Sequence, residues 1–323
     1  MVSNPSIEDE QWLLDRWGAM LRIRRAEEAI AEMVESGEAR CPCHLYIGQE
    51  AIAAGVCAAL TASDTLWGGH RSHGHYLAKG GSLTGLFAEV LGRETGCSGG
   101  RGGSMHLVAA ECGILGTVPI VAGTVPLAAG AALAAKLRRE PHVAVAFFGD
   151  GAMEEGHVHE TLNLAALYAL PLILVCENNL YSSHQHWRER RLADNLDQAG
   201  AFHGVPGERV DGNDVDAVYG AAVRAVDRAR RGAGPTLLEC RTFRWRGHVG
   251  ASTDIDVGLR RQGELAEWLE RDPLLCAGRR LGVARRAQME VSIRGEITAA
   301  LAAARQAPEP AADRILDHVG EAA

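Results

Sequence analysis

Two short apolar runs, one helix apart, each ending in polar residues suited to a cation, constrain this chain most. Val143-Ala-Val-Ala-Phe-Phe148 is unbroken and apolar, as a parallel strand buried on both faces should be, and it runs straight into Gly149-Asp150-Gly151-Ala152. A helix to about Tyr168 and a second apolar run, Leu172-Ile-Leu-Val-Cys176, follow, and that run ends in Glu177-Asn178-Asn179-Leu180-Tyr181. Strand, helix and strand in succession put both polar ends at the same carboxyl edge of a sheet, where open α/β folds bind ligands. Glycines there let backbone approach a ligand, and the start of the following helix offers N–H groups to an anion. A dinucleotide fingerprint would need a third glycine, but Glu154 occupies that place, so Gly-x-Gly-x-x-Gly is broken. Asp150 would repel a bare diphosphate unless a divalent cation lay between them. Asp150, the Asn179 side-chain oxygen and a nearby backbone carbonyl are hard oxygen ligands for Mg²⁺, and diphosphate oxygens would complete an octahedron. Either half alone reads equally well as an ordinary turn or strand end. Together they point to a metal-bridged diphosphate.

The rest of the chain extends the alternation. Asp214 to Arg231 predicts a helix and Thr236 to Cys240 another strand. Ser6 and Asp9 form a loose capping box for a long amphipathic helix with Leu13, Trp17, Leu21, Ala26, Ile30 and Val34 on one face, stopping near Gly37. Further helices are expected over about Gln49–Leu60, Leu83–Leu91 and Val125–Leu137, the last small, apolar and buried, and in the Arg-rich segment after Leu259. The class is therefore α/β, a parallel sheet flanked by helices. One large domain is expected: a helical N-terminal extension over 1–40, the α/β domain over 41–258 and a helical C-terminal extension over 259–323.

Composition excludes several functions. The 33 basic residues against 41 acidic ones leave a net charge of −8, so no basic field exists to hold nucleic acid. No apolar run approaches the roughly 20 residues of a membrane helix, and the first residues lack the basic and apolar regions of a secretory signal. A cytoplasmic protein with its eight cysteines as free thiols is expected. Cys41-Pro42-Cys43 is the only close cysteine pair, and no second pair completes a zinc set. Lysine occurs only at Lys79 and Lys136, neither in Gly-Lys-Ser/Thr, which removes a P-loop. The spacing of His70, His73 and His75 admits zinc, though without cysteine support.

Gly149-Asp-Gly through Asn178-Asn179 resembles the thiamine diphosphate-binding motif. Gly149-Asp-Gly-Ala-Met-Glu-Glu-Gly156 through Cys176-Glu-Asn-Asn-Leu-Tyr181 is similar to the α subunits of two-chain 2-oxo acid dehydrogenase E1 components, pyruvate and acetoin dehydrogenase type. Cys43-His-Leu-Tyr-Ile-Gly-Gln-Glu-Ala51, His70-Arg-Ser-His-Gly74, Gly102-Gly-Ser-Met-His106, Val125-Pro-Leu127 and Arg246-Gly-His248 fall in that family's order, from about Leu13 to Trp268.

The resemblance implies the thiamine diphosphate-binding fold of the diphosphate-binding type, with thiamine diphosphate and Mg²⁺ as cofactors. It implies Asp150, Asn179 and the backbone oxygen of Tyr181 as metal ligands. The N–H groups of Gly151 and Ala152, with Arg71, would meet the diphosphate, and His70 and Val121 would lie beside the cofactor. His44 and His248 match the family's active-site histidines, His248 also contacting the cofactor, and His73 is a further catalytic candidate. His70 stands where the pyruvate branch has tyrosine and the acetoin branch histidine; Pro119 stands where glycine is common. Val249 replaces the regulatory serine of mitochondrial relatives. The implied enzyme works only with a β subunit, as an α₂β₂ heterotetramer. It would decarboxylate a small 2-oxo acid, or cleave acetoin, and pass the acyl group to the lipoyl arm of E2. A thiamine diphosphate-dependent carboligase or two-carbon transferase built on the same pair would share these motifs.

Overall fold

A computed structural model describes residues 10–254 and 262–314; the Ser6–Asp9 capping box and the end of the C-terminal tail lie outside them. Six strands form one parallel sheet: β1 (Thr65–Gly68), β2 (Ile114–Thr117), β3 (Ala144–Gly149), β4 (Leu172–Asn178), β7 (Gly207–Asp211) and β8 (Thr236–Arg241), in the order β2-β1-β3-β4-β8-β7. A small antiparallel hairpin, β5 (Tyr181–Ser182) and β6 (Gln185–His186), follows β4. Helices α1 (Glu10–Glu35), α2 (Glu50–Ala58), α3 (His73–Ala78), α4 (Leu83–Val90), α8 (Val215–Arg230) and α11 (Val283–Gln306) contribute to one core. Helices α5 (Thr124–Arg138) and α6 (Gly156–Leu167) cover the opposite face. Short helices α7 (Trp187–Arg190), α9 (Gln262–Leu269) and α10 (Pro273–Gly278) complete the described set. None of these helices is long and apolar enough to cross a membrane.

Side chains of successive strand residues point to opposite faces, and the buried strands use both. Val145 and Phe147 of β3 and Ile173 and Val175 of β4 enter the α1/α2/α8 core. Ala144, Ala146 and Phe148, with Leu172, Leu174 and Cys176, enter the α5/α6 core. The apolar runs are continuous because neither face meets water.

The strand order places the site. The chain moves outward from β1 to β2 and then crosses back to β3 on the other side of β1. The crevice beyond the carboxyl ends of β1 and β3 is thus a topological switch point, the usual ligand position in such sheets. The segments leaving it are Gly69-His70-Arg71 after β1 and Asp150-Gly151-Ala152 after β3.

Three expectations change. The first helix was expected to bury one face, yet α1 also buries Gly18, Arg24 and Glu27. It is packed against α2, α3, α10 and α11 at once. Arg24 bonds both oxygens of Glu50 at 2.5 and 3.0 Å, meets Asp272 at 3.0 Å and stacks 4.1 Å from Trp245, so residues 10–35 belong to the main core. Helix α5, expected to be buried, is covered on one face only: Val125, Ala128, Ala129 and Ala132 are inside, while Leu127 and Leu137 are 50% and 75% exposed. The helix after Asp150 begins only at Gly156, because Asp150–Glu154 first forms a 3-10 turn.

Candidate active site

The crevice holds a cavity of about 260 Å³ lined from both sides of the switch point, with Asp150, Gly151, Ala152, Asn179 and Tyr181 at one end and His44, His70, Arg71 and His248 among its other walls.

At the first end, Gly151 meets Ser182 so closely that a Cβ would lie 2.3 Å from its Oγ, so the turn requires glycine. The first N–H groups of a helical turn have no partner within it, which leaves Gly151 and Ala152 suited to an anion. Asn179 donates from Nδ2 to Gln49 Oε1 at 2.9 Å, and its Oδ1 accepts the Tyr181 N–H at 3.3 Å. The amide is thereby oriented, with its oxygen on the side of the hairpin. Asp150 is almost wholly buried and pairs with Arg190, which also pairs with Glu154; Arg191 lies 3.9 Å from Asp150 and 3.7 Å from Glu154. A buried carboxylate needs a cation beside it, and these arginines of the α7 segment supply one.

At the other end the imidazoles of His44, His70 and His248 pack with ring centroids 4.8 to 5.2 Å apart. Burial, then the positive charge of Arg71, holds all three far below their ordinary value: His44 at about 3, His70 at about 2 and His248 at about 4. All are neutral near pH 7. Arg71 donates to the carbonyls of Leu45 at 2.6 Å and His248 at 2.9 Å, tying the His44 and His248 segments together while lining the cavity. Arg244, fully buried, donates to Asp254 Oδ2 at 3.1 Å and to the Arg246 carbonyl at 2.9 Å. Asp254 also accepts the His248 N–H at 3.1 Å, which fixes the turn.

Not every predicted residue reaches the cavity. His73 is fully buried beneath it, Nδ1 at 3.1 Å from Glu27 and Nε2 at 2.8 Å from Ser104 Oγ. Burial works against its charged form, but the Glu27 carboxylate outweighs this and raises its pKa. Ser104 Oγ in turn accepts the His44 N–H at 3.4 Å, so His73 supports His44 rather than touching a ligand. His70, His73 and His75 do not converge as a zinc set would require; the close histidines are His44, His70 and His248. Val121 lines the cavity but is 48% exposed, and its neighbour Ile120 is 71% exposed. The loop containing Pro119 therefore forms an open apolar lip.

Several lining residues carried no sequence signal of their own. Glu177 accepts from Tyr46 Oη and lies 2.8 Å from His75 Nε2, and His75 stacks 4.0 Å from Phe147. Gln49 and Arg244 also line the cavity. The signal that could have found Glu177 and Arg244 is their position, at or just beyond the carboxyl ends of β4 and β8. Gln49 precedes a helix and has no such marker.

The residues present fit a cation-bridged diphosphate. Gln49 Nε2 and His44 Nδ1 are buried, face no hydrogen-bond partner and belong to cavity-lining residues, as expected where a polar ligand supplies the missing bonds. Asp150 and Asn179 offer hard oxygens beside a glycine turn.

Residues 18–313 match the family described as dehydrogenase E1 component. The chain is 43% identical over 241 residues to the α subunit of acetoin:2,6-dichlorophenolindophenol oxidoreductase of Bacillus subtilis, covering 75% of this chain and 72% of that one. It is 42% identical over 247 residues to the pyruvate dehydrogenase E1 component subunit alpha of Rhizobium meliloti, covering 76% and 70%. With the corresponding Zymomonas mobilis subunit it shares 39% identity over 320 residues, covering 96% and 89%.

Proposed function

The chain belongs to the dehydrogenase E1 component family, whose members use thiamine diphosphate, and from that membership we propose that it is an α subunit acting on pyruvate or a similarly small 2-oxo acid, or on acetoin. The acyl group would pass to a lipoyl-bearing E2. The observation that carries this reading is a single cavity with a diphosphate cradle at one end and a cluster of neutral imidazoles at the other.

Thiamine diphosphate, when bound, supplies stabilisation of the carbanion. This chain's residues hold and orient. Asp150, Asn179 and the Tyr181 backbone oxygen would ligate Mg²⁺, with Arg190 giving up Asp150 to the cation. Gly151 and Ala152 would donate N–H groups to phosphate oxygens. A neutral imidazole can donate from one nitrogen and accept at the other. His44 and His248 can therefore hydrogen-bond a substrate oxygen and pass a proton without first being deprotonated. Arg71 and Arg244 keep this end electropositive, which favours an anionic 2-oxo acid and disfavours a second bound cation.

The open lip at Ile120 and Val121 supports a partner. An apolar edge at a ligand cavity is costly in water and suits burial in an interface, here with the β subunit of an α₂β₂ assembly. Co-expression with a candidate β chain, then a screen of 2-oxo acids and acetoin, tests the reading. The pair should turn over a small substrate while this chain alone, with thiamine diphosphate and Mg²⁺, should not. Turnover by the chain alone would overturn the half-site assignment.

A further inference from the structure

Cys41 and Cys43 lie just behind the histidine end of the cavity, outside the ligand-binding groups described above. Their sulfurs are 3.9 Å apart. Cys43 is buried, and Cys41 is partly accessible. Cys41 Sγ also accepts the Ser104 N–H at 3.2 Å. Gly103, at φ +62°, presses against it: a Cβ there would lie 2.8 Å from Cys41 Cβ and 3.1 Å from Sγ. The glycine turn therefore aims a backbone donor at this sulfur. The Cys43 thiol and that donor, acting against burial, lower the Cys41 thiol below its ordinary value, while Cys43 is raised. Of the two sulfurs Cys41 is thus the more readily ionised and Cys43 the one that keeps its proton, the combination in which one sulfur attacks and the other resolves.

The surroundings connect this pair to the active-site histidines. His44 follows Cys43 directly, and the Cys43 carbonyl accepts the Gly250 N–H at 2.8 Å, two residues from His248. Ser104, which donates to Cys41, also carries the His73 and His44 contacts.

We propose that Cys41 and Cys43 form an oxidisable dithiol site, closed by hydroperoxides into a disulfide that displaces His44 and the Gly250 turn. The Cys41 thiolate attacks the terminal peroxide oxygen and the O–O bond breaks; hydroxide departs from hydrogen peroxide, or alkoxide from an organic hydroperoxide, and Cys41 becomes a sulfenic acid. The Cys43 thiol then attacks that sulfur, forming the S–S bond and releasing water. Two equivalents of a thiol reductant reverse the oxidation and are themselves oxidised to a disulfide. Bringing the sulfurs from 3.9 Å to a bond of about 2 Å across a single intervening residue is expected to shift the Cys43 backbone, and with it the two histidine segments attached to it. A ring closed across one intervening residue is strained, which places it among the readily reduced, reversible disulfides.

The test treats the full chain with hydrogen peroxide, alkylates remaining thiols and analyses the peptide from Cys41 to Tyr46 by mass spectrometry. The expected product has lost two hydrogens, resists alkylation and is restored by dithiothreitol; amide exchange at Gly250 should rise with it. In the pair with β, turnover should fall roughly 100-fold, as active-site misplacement can cause, and return on reduction. Cys41→Ser should keep its basal turnover and lose this reversible inhibition. Oxidation of Cys41 to sulfinic acid without a Cys41–Cys43 bond would overturn the proposal. So would a disulfide to another cysteine, or unchanged Gly250 exchange in the disulfide form. The mass readout stands apart from activity, so failure of the functional reading would not be mistaken for failure of this one.

Discussion

At the Asp150 end of the cavity, the site comes from one strand–turn–helix–strand unit, β3 to β5, whereas the histidine end is assembled from segments as distant as His44 and His248. The two also differ in charge. Asp150 is buried with guanidinium groups already against it, while His44, His70 and His248 are buried and neutral. A ligand at the first end must exchange one cation for another. At the second end it meets preformed, uncharged donors and acceptors, and a cost for keeping the three imidazoles unprotonated arises only as pH falls below about 6.5.

The histidine end should show the largest functional effect. His248→Ala in the assembled enzyme is expected to lower kcat by roughly 10²–10⁴-fold, the usual weight of a proton-handling group, with little change in melting temperature because this residue is only half-buried. Parallel losses in stability and turnover would reduce His248 to a packing role and erase the contrast between the ends.

Asp150→Asn should act at the other end. Mg²⁺-dependent thiamine diphosphate affinity in the assembled enzyme should drop roughly 100-fold, about 2.7 kcal/mol, within the 1.5–3 kcal/mol range of charge-assisted bonds. Because the substitution also removes one of the two carboxylates paired with Arg190, the double variant Asp150→Asn/Arg190→Gln serves as the folding control. Binding by calorimetry that matches the wild type would remove Asp150 from the cation's ligands.

The histidines also predict a pH signature in the chain without ligand. Their folded-state values lie below the ordinary 6.5, so on acidification the unfolded chain takes up protons first. Stability is then lost as pH falls from about 6.5 towards about 4 for His248 and about 3 for His44. His44→Asn removes one such group, so its melting temperature should drop less than the wild type's between pH 7 and 4. Identical slopes would mean that His44 is protonated in the folded chain.

Arg190→Gln should have the smallest effect. Removing the cation that competes for Asp150 is expected to strengthen Mg²⁺-dependent binding a few-fold, since a pair that must be broken on binding weakens the apparent affinity. Weaker binding would instead make Arg190 a ligand contact.

The same contrast explains what the sequence could tell. The Asp150 end was legible because its chemistry is local: two apolar runs, one glycine turn and one Asn-Asn. The central strands β3, β4 and β8 were legible for the same reason. Strands β1, β2 and β7 were not. Two of them are only four residues long, and β7, Gly-Glu-Arg-Val-Asp, lies at the sheet edge with mostly exposed side chains. The histidines could be picked out by residue type, but nothing local separates His70, which faces the cavity, from His73, which lies on Glu27. Arg190 was missed because its importance arises only when α7 folds back onto the Asp150 turn. The span of the N-terminal helix was legible but its degree of burial was not, because a periodic apolar face cannot show that Arg24 will be buried by pairing with Glu50.

The most direct test is a calorimetric titration of thiamine diphosphate into the assembled enzyme, once with Mg²⁺ and once with divalent cations chelated. A diphosphate bridged to Asp150 and Asn179 through a cation predicts tight binding in the first and its loss in the second. Equal affinity in both would contradict the cation bridge and leave Asp150 as the partner of Arg190 alone.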